Sequence, residues 1–245
     1  MGRERGRPQG KELWLSTIAF MHVPDGLIGS LTAVVTWVVA VVVVGYALRR
    51  SREELDDRSI PIVGLSAAFI FAAQMVTVPV AGGTSAHLLG GAMAGIMLGP
   101  WVGTLVVSVV YMVQAVAFAD GGITALEANV LAMGVLAAVG GYYLFRALTA
   151  ILPRTRWAYL GSVAVTSWVT IVAAAALVSV FIVFGGPLPL AAFPVMLGAH
   201  MVVGILEAAI SVSVIAAVMA SRPDLLANRD RLPVQVPTTS HEEVT

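Results

Sequence analysis

Residues 157–184 read WAYLGSVAVTSWVTIVAAAALVSVFIVF, and this stretch contains no charged side chain. About 20 apolar residues, rising 1.5 Å each, are enough for a helix to cross the hydrocarbon core of a bilayer. The whole chain has the same character: 58% of its 245 residues are hydrophobic and 11% are charged, whereas soluble domains carry about 25% charged residues. Lipid offers the backbone no hydrogen-bond partner, so the sequence predicts an all-α, polytopic membrane helical bundle.

Similar uncharged runs predict about seven transmembrane helices in one domain, residues 21–221. Residues 83–119 are too long for a single crossing, and Gly99–Pro100 is the natural break because proline cannot continue a helix without losing a hydrogen bond. The predicted helices cover about residues 29–48, 60–80, two within 83–119, 125–145, 157–184 and 192–220. Residues 222–245 are polar and contain proline, which is typical of a flexible tail.

Arginine placement predicts the orientation of the bundle. Three groups of arginines follow the first, fifth and seventh predicted helices: Arg49, Arg50, Arg52 and Arg58; Arg146, Arg154 and Arg156; Arg222, Arg229 and Arg231. With seven crossings, all three groups lie on one side, which their positive charge marks as the cytoplasm. We therefore expect a bacterial cytoplasmic membrane protein with Met21 outside and the C-terminus in the cytoplasm.

Residues 1–20 conflict with this orientation because Arg3, Arg5, Arg7 and Lys11 would be attached to the external end. We expect that residues 1–20 are absent from the mature chain. A weak signal-peptide core at 14–20 indicates a cleaved leader, and a mis-assigned start codon is the alternative. Both would leave Met21 as the first residue.

Three histidines, His22, His87 and His200, fall toward the external side of the predicted bundle. Polar groups inside a membrane domain are expensive and commonly mark a transport path or a binding site. The simpler alternative is that each histidine only bonds a neighbouring carbonyl. For His22 and His87, both in glycine-rich segments, a shared site is favoured, and the lack of cysteine restricts a metal site to nitrogen and oxygen ligands.

A chain that begins at Met21 would carry a metal chelate. The free amine, the His22 amide nitrogen and the His22 imidazole close two fused rings on one ion, and His87 would supply a fourth nitrogen. A planar four-nitrogen set suits Ni²⁺ or Cu²⁺. It favours Ni²⁺ over Co²⁺, but the sequence leaves open which ion is transported.

Other polar residues are weaker candidates. Asp25 and Asp120 could orient a ligand histidine, although both lie beside glycine in loops, where turn or capping roles are more common. Thr84, Ser85 and His200 are further candidates for support around the ligands. Glu207 lies about 10 Å along the helix from His200, so the two cannot bind one ion, and a structural hydrogen bond is the favoured role for Glu207.

Five motifs occur in a fixed order over residues 21–220: MHVPDG at 21–26, GTSAHLLGG at 83–91, LGPW at 98–101, VQA with FADGG at 113–122, and HMVVG with EA at 200–208. Together they resemble the substrate-capture membrane component of cobalt and nickel energy-coupling factor (ECF) transporters. The resemblance implies metal ligands at Met21, His22 and His87 and a chain with no catalytic residues or cofactor. It also implies partner ATPase subunits, a coupling membrane subunit and a small accessory membrane protein. The chain departs from the family pattern at Glu127, Ala132 and Leu206.

Other functions fit the sequence less well. There is no G-x-x-x-x-G-K-[ST] loop, so this chain is not expected to hydrolyse ATP. An intramembrane metalloenzyme lacks its usual H-E-x-x-H pair, and capture of a vitamin would need a larger aromatic pocket. An ion-driven carrier is disfavoured by the lack of inverted repeats. The net charge is zero, so nucleic-acid binding is not expected.

Overall fold

The computed structural model describes residues 22–55, 60–75, 78–80 and 84–233. Helices dominate: α1 Ser30–Glu54, α2 Ile60–Met75, α3 Gly91–Leu98, α4 Pro100–Ala117, α5 Leu126–Ile151, α6 Arg156–Phe184 and α7 Ala192–Ser221. Two short strands, β1 Val78–Val80 and β2 Thr84–Ala86, pair antiparallel, with Val78 opposite Ala86. The side chains of 78–80 and 84–86 lie outside the described part.

Five of these helices, α1, α4, α5, α6 and α7, are long and apolar enough to cross a membrane. The shorter α2 is also apolar, whereas α3 has 8 residues and extends only about 12 Å. Many large apolar side chains on α1 face outward, including Val34, Val38 and Val42, as lipid contact requires. The predicted helical membrane bundle is therefore confirmed in class, and the count of seven crossings and the orientation stay predictions.

The chain between α2 and α3 differs from the expectation that residues 60–80 and 83–98 are helical. The second helix ends at Met75, two paired strands follow, and residues His87–Gly90 are buried and without regular secondary structure. Gly90 has a φ of +74°, a left-handed conformation that glycine adopts at little cost, and it sets the start of α3. Residues 84–87 thus precede α3 and do not form its first turn.

The Gly99–Pro100 break is present, and glycines bring the helices around it into close contact. A Cβ at Gly91 would collide with the Met133 carbonyl oxygen, and one at Gly95 with the Ala138 carbonyl oxygen. These carbonyls belong to a π-helical part of α5, Val130–Gly140. A Cβ at Gly103 would lie 2.8 Å from the backbone of Ala94. Gly91, Gly95 and Gly103 are spaced by multiples of four residues, and they allow close packing within the bundle, as small residues do in lipid.

Part of the predicted flexible tail packs against the bundle. Leu226 and Asn228 are 1% and 0% exposed. The break at Gly99–Pro100 leaves carbonyls at the end of α3 without helical partners. The Ala227 amide donates to the Met97 carbonyl at 2.8 Å, and Asn228 Nδ2 donates to the Ile96 carbonyl at 3.0 Å. The segment up to residue 233 thus caps α3, a contact that composition could not reveal, and 234–245 lie outside the described residues.

Candidate metal site

The segment that begins at His22 folds back into the bundle. His22 and Val23 are 3% and 6% exposed. Asn129 of α5 bonds both polar groups of the Val23 backbone: its Oδ1 accepts from the amide at 2.9 Å, and its Nδ2 donates to the carbonyl at 3.3 Å. Gly121 packs directly on His22, because a Cβ there would lie 2.9 Å from His22 Cβ. The turn at residues 120–122 (DGG) therefore lines the pocket that holds the His22 ring, which we call the histidine pocket.

His87 enters the same pocket from the irregular segment that precedes α3. Its Nδ1 lies 2.9 Å from the Leu88 carbonyl oxygen. A carbonyl can only accept, so Nδ1 must carry the proton, and the neutral ring presents the lone pair of Nε2. Residue 87 lies outside the candidate membrane-spanning helices. Burial, with a contribution from nearby His22, lowers the pKa of His87 to about 4, so the ring is neutral at physiological pH.

The two imidazoles are neighbours. Their ring centroids are 5.0 Å apart, and the Tyr111 ring lies 5.0 Å from His22 in an edge-to-face arrangement. Within the described chain, neither nitrogen of His22 nor Nε2 of His87 has a hydrogen-bond partner. Buried polar groups are almost always satisfied because leaving one without a partner costs about 1–3 kcal/mol. These nitrogens on adjacent rings make this pocket the candidate ligand site.

The two aspartates have different roles. Asp120 Oδ1 lies 3.2 Å from His22 Nδ1, a charge contact without hydrogen-bond alignment, and the imidazole lowers the pKa of Asp120. Asp25 does not bond His22. Its Oδ1 accepts from the hydroxyl and amide of Thr124, at 2.6 and 2.7 Å. These bonds lower the pKa of Asp25, and its role is the loop-stabilising one favoured from the sequence.

The remaining predicted site residues are not part of the histidine pair. His200 Nδ1 bonds the Met196 carbonyl at 2.8 Å. His22 and His200 line one cavity of about 30 Å³ together with Met133 and Met196, which is room for about one water molecule. Met21 and the side chains of Thr84 and Ser85 lie outside the described residues. No group of three His, Asp or Glu side chains that could hold an ion occurs within the described ranges.

Sequence reasoning missed Tyr111, which touches His22 and, through its hydroxyl, donates to the Leu89 carbonyl at 3.1 Å. The available signal was its phenol group in an otherwise apolar helix, since a buried tyrosine hydroxyl needs a partner. Gln114 of α4 donates to Gln74 of α2 at 2.8 Å, which joins two helices, whereas Asn129 of α5 bonds Val23 in the segment before α1. Of the departures from the family pattern, Glu127 is buried and bonded to Thr36 of α1.

The chain is similar to known metal transport proteins over most of its length. Residues 22–225 match the CbiM family, described as the cobalt uptake substrate-specific transmembrane region. A protein of Haloquadratum walsbyi whose name assigns it to metal transport is 40% identical over 209 residues, 84% of this chain and 93% of that protein. The fused nickel transport protein NikMN of Rhodobacter capsulatus is 35% identical and covers 85% of this chain, which spans 65% of that relative. The crystal structure of a truncated transition metal transporter matches with a TM-score of 0.73 and 30% identity, over 82% of this chain and 99% of that one.

Proposed function

The chain belongs to the CbiM family, and we propose that it captures Ni²⁺ or Co²⁺ at the external face of a bacterial cytoplasmic membrane. As a member it is a multi-pass membrane component of cobalt or nickel transport, not an enzyme. We further propose that it works as the substrate-specific component of an ECF-type ABC transporter. ATPase subunits, a coupling membrane subunit and a small accessory membrane protein would then complete the machine. The fused architecture named for the nickel relative supports an association with other transport components.

One observation carries the capture role: His22 and His87 place two buried Nε2 atoms without hydrogen-bond partners side by side, next to a His22 Nδ1 that contacts Asp120. We propose that the ligands are the Met21 amine, the His22 amide and imidazole nitrogens, and His87. A six-membered chelate ring from the His22 amide closes only through Nδ1 of that residue. Nδ1 is the nitrogen that contacts Asp120, so metal binding and this contact exclude each other. Asp120 would hold the imidazole until an ion replaces it.

The geometry disfavours capture of a vitamin. The cavity beside His22 holds about one water molecule, whereas pockets for organic ligands measure about 300–1,000 Å³. A metal ion needs no cavity of that size, because it is held directly by its ligand atoms.

The direct test is calorimetric titration of the detergent-purified protein with Ni²⁺ and with Co²⁺. We expect one tight site for Ni²⁺ when Met21 carries a free amine, and a large loss of affinity when that amine is acetylated, because acetylation removes one of the four nitrogens. Equal affinity for Ni²⁺ with a free and a blocked amine would refute the ligand set.

A further inference from the structure

The backbone of Leu89 and Gly90, just after His87, is held by side chains from three helices. Glu207 of α7 accepts from both amides, with Oε2 2.7 Å from Leu89 N and Oε1 3.0 Å from Gly90 N. The Leu89 carbonyl accepts from Gln74 Nε2 at 2.6 Å and from the Tyr111 hydroxyl at 3.1 Å. The backbone N–H and C=O of Leu89 are thus both hydrogen-bonded by side chains that are distant in sequence.

Holding a backbone segment with a buried glutamate costs free energy. Its side chain is buried, with 2% exposure, and no cationic side chain in the described part of the chain pairs with it. Burying a carboxylate without a counter-charge is costly. Two short bonds from backbone amides offset part of this cost, because bonds to an ionised acceptor are stronger than neutral ones. A buried carboxyl group kept in this position suggests a task beyond packing.

The amide of Leu89 and the carbonyl of Leu88 belong to one planar peptide group. Glu207 accepts from the N–H end of this group, and His87 Nδ1 donates to the C=O end at 2.9 Å. A carboxyl oxygen that accepts at one end polarises the peptide and strengthens the carbonyl as an acceptor at the other. Histidine ligands of metals commonly donate their second nitrogen to a carboxylate or a carbonyl, which fixes the tautomer and raises ligand basicity. Here a carboxylate acts on the histidine through one peptide group.

We infer that Glu207 is a positioning residue of the metal site, which fixes the orientation and tautomer of His87 through the Leu88–Leu89 peptide so that Nε2 faces the ion. The inference rests on the proposed function, since it assigns Glu207 a role toward the same ion. Two features then have one explanation: the buried carboxyl group of Glu207 and the proton on Nδ1 of His87.

The test uses Glu207→Gln in the full-length protein, with Glu127→Gln as the matched control. Glu127 is equally buried, 1% exposed, but bonds Thr36 of α1 instead of the His87 segment. Glutamine has one acceptor oxygen and no charge, so it cannot offer each amide its own oxygen as Glu207 does. We expect Glu207→Gln to weaken Ni²⁺ binding about 10- to 100-fold, the usual effect of losing a group that orients a metal ligand. Glu127→Gln should leave the affinity for Ni²⁺ unchanged.

Two readouts separate positioning from general support of the fold. In a His87→Ala background, Glu207→Gln should not weaken the residual Ni²⁺ binding further, because it acts through the missing ring. In the metal-free protein, ¹⁵N NMR of histidine should show His87 as the Nδ1–H tautomer, and Glu207→Gln should populate the Nε2–H form. If Glu207→Gln does not fold, Glu207→Asp, which retracts the charge by one methylene, should give a smaller shift of the same kind.

The inference would be overturned if Glu207→Gln reduced the Ni²⁺ affinity equally with and without His87, or if it left the tautomer of His87 unchanged. Either result would leave the proposed ligand set intact. Wild-type affinity in His87→Ala would instead refute the ligand set.

Discussion

His22 and His87 differ from His200 in what their ring nitrogens contact. The first two rings are adjacent and carry the nitrogens without partners, whereas His200 bonds within its own helix to Met196. Replacing either His22 or His87 with alanine should abolish high-affinity Ni²⁺ binding, because loss of one imidazole destroys the planar four-nitrogen geometry. His200→Ala should weaken binding far less. Calorimetry of the three variants decides this, and equal losses in all three would mean a different ligand set.

Acid should weaken metal binding through the N-terminal amine more than through His87. Metal ligands must be deprotonated, so each proton that competes lowers the affinity. The pKa of His87 is lowered to about 4 by burial, and this ring competes for protons only near that pH. A chain-terminal amine has a pKa of about 7.7–8.0. Below this value the Ni²⁺ affinity should fall at least about tenfold per pH unit.

Titrations with Ni²⁺ between pH 6 and 7.5 measure this slope, with the acetylated chain as the control. An affinity that stays constant down to about pH 5 would show that no free amine binds the ion.

The sequence predicted individual site residues where a polar side chain is unusual in its surroundings. His22, His87 and Asp120 are rare polar groups in an apolar chain, and the structure brings them together. The peptide link from Glu207 to His87 could not be predicted, because it depends on a hydrogen bond between Leu89 and Glu207, which are 118 positions apart and whose sequence spacing carries no periodic signal. Nor could the sequence show which nitrogen of His22 faces Asp120.

Among the helices, the contact of α3 with α5 depends on the absence of side chains at glycine. A Cβ at Gly95 would collide with the Ala138 carbonyl, which is backbone and cannot rotate away. Gly95→Ala should therefore destabilise the protein by about 1–3 kcal/mol, the usual cost of overpacking. Gly161 of α6 is the matched control, since a Cβ there meets nothing within 4 Å. Gly161→Ala should be neutral or stabilising because alanine favours the helix.

Thermal unfolding in detergent measures both variants. A Gly95→Ala protein as stable as wild type would contradict the close packing of α3 on α5.

Helix boundaries followed from the sequence wherever hydropathy alone decides them. Residues 157–184 and 192–220 were predicted as helices, and α6 and α7 cover Arg156–Phe184 and Ala192–Ser221. The prediction failed between α2 and α3. There the backbone is irregular, and its hydrogen bonds are completed by Gln74, Tyr111 and Glu207, so no local pattern could specify the conformation. The same holds for the residues that cap α3 through Ala227 and Asn228.

For the molecule as a whole, the arginine pattern predicts that the histidine pocket opens to the outside. Ile123 lies in the same loop as Asp120, before α5, and is 55% exposed, and Arg154 is exposed in the loop before α6. The chain has no cysteine of its own, so single cysteines at these two sites can be labelled cleanly. An impermeant reagent applied to intact cells should label Ile123→Cys. It should label Arg154→Cys only after the membrane is opened, and the reverse pattern would invert the topology.

The residue at which the mature chain begins decides whether Met21 can supply an amine to the metal site. His22 is 3% exposed and tied to α5 through Val23 and Asn129, and residue 21 is its immediate neighbour in sequence. If Met21 carries a free amine, that nitrogen is within reach of any ion held by the His22 imidazole. If residues 1–20 remain attached, the nitrogen is an ordinary amide, and four positive charges are added on the side predicted to be external. We therefore predict that the functional chain starts at Met21.

Intact-mass analysis of protein purified from the membrane reads the N-terminus directly, and the same sample can be titrated with Ni²⁺. A mass that corresponds to residues 21–245 and stoichiometric Ni²⁺ binding are expected together. A variant with Met21 preceded by a non-cleavable glycine–serine extension is the control, and it should lose high-affinity binding while His22 and His87 stay in place. Tight Ni²⁺ binding by a chain that retains residues 1–20 would remove the amine from the ligand set. The two imidazoles would then need donors from elsewhere in the chain.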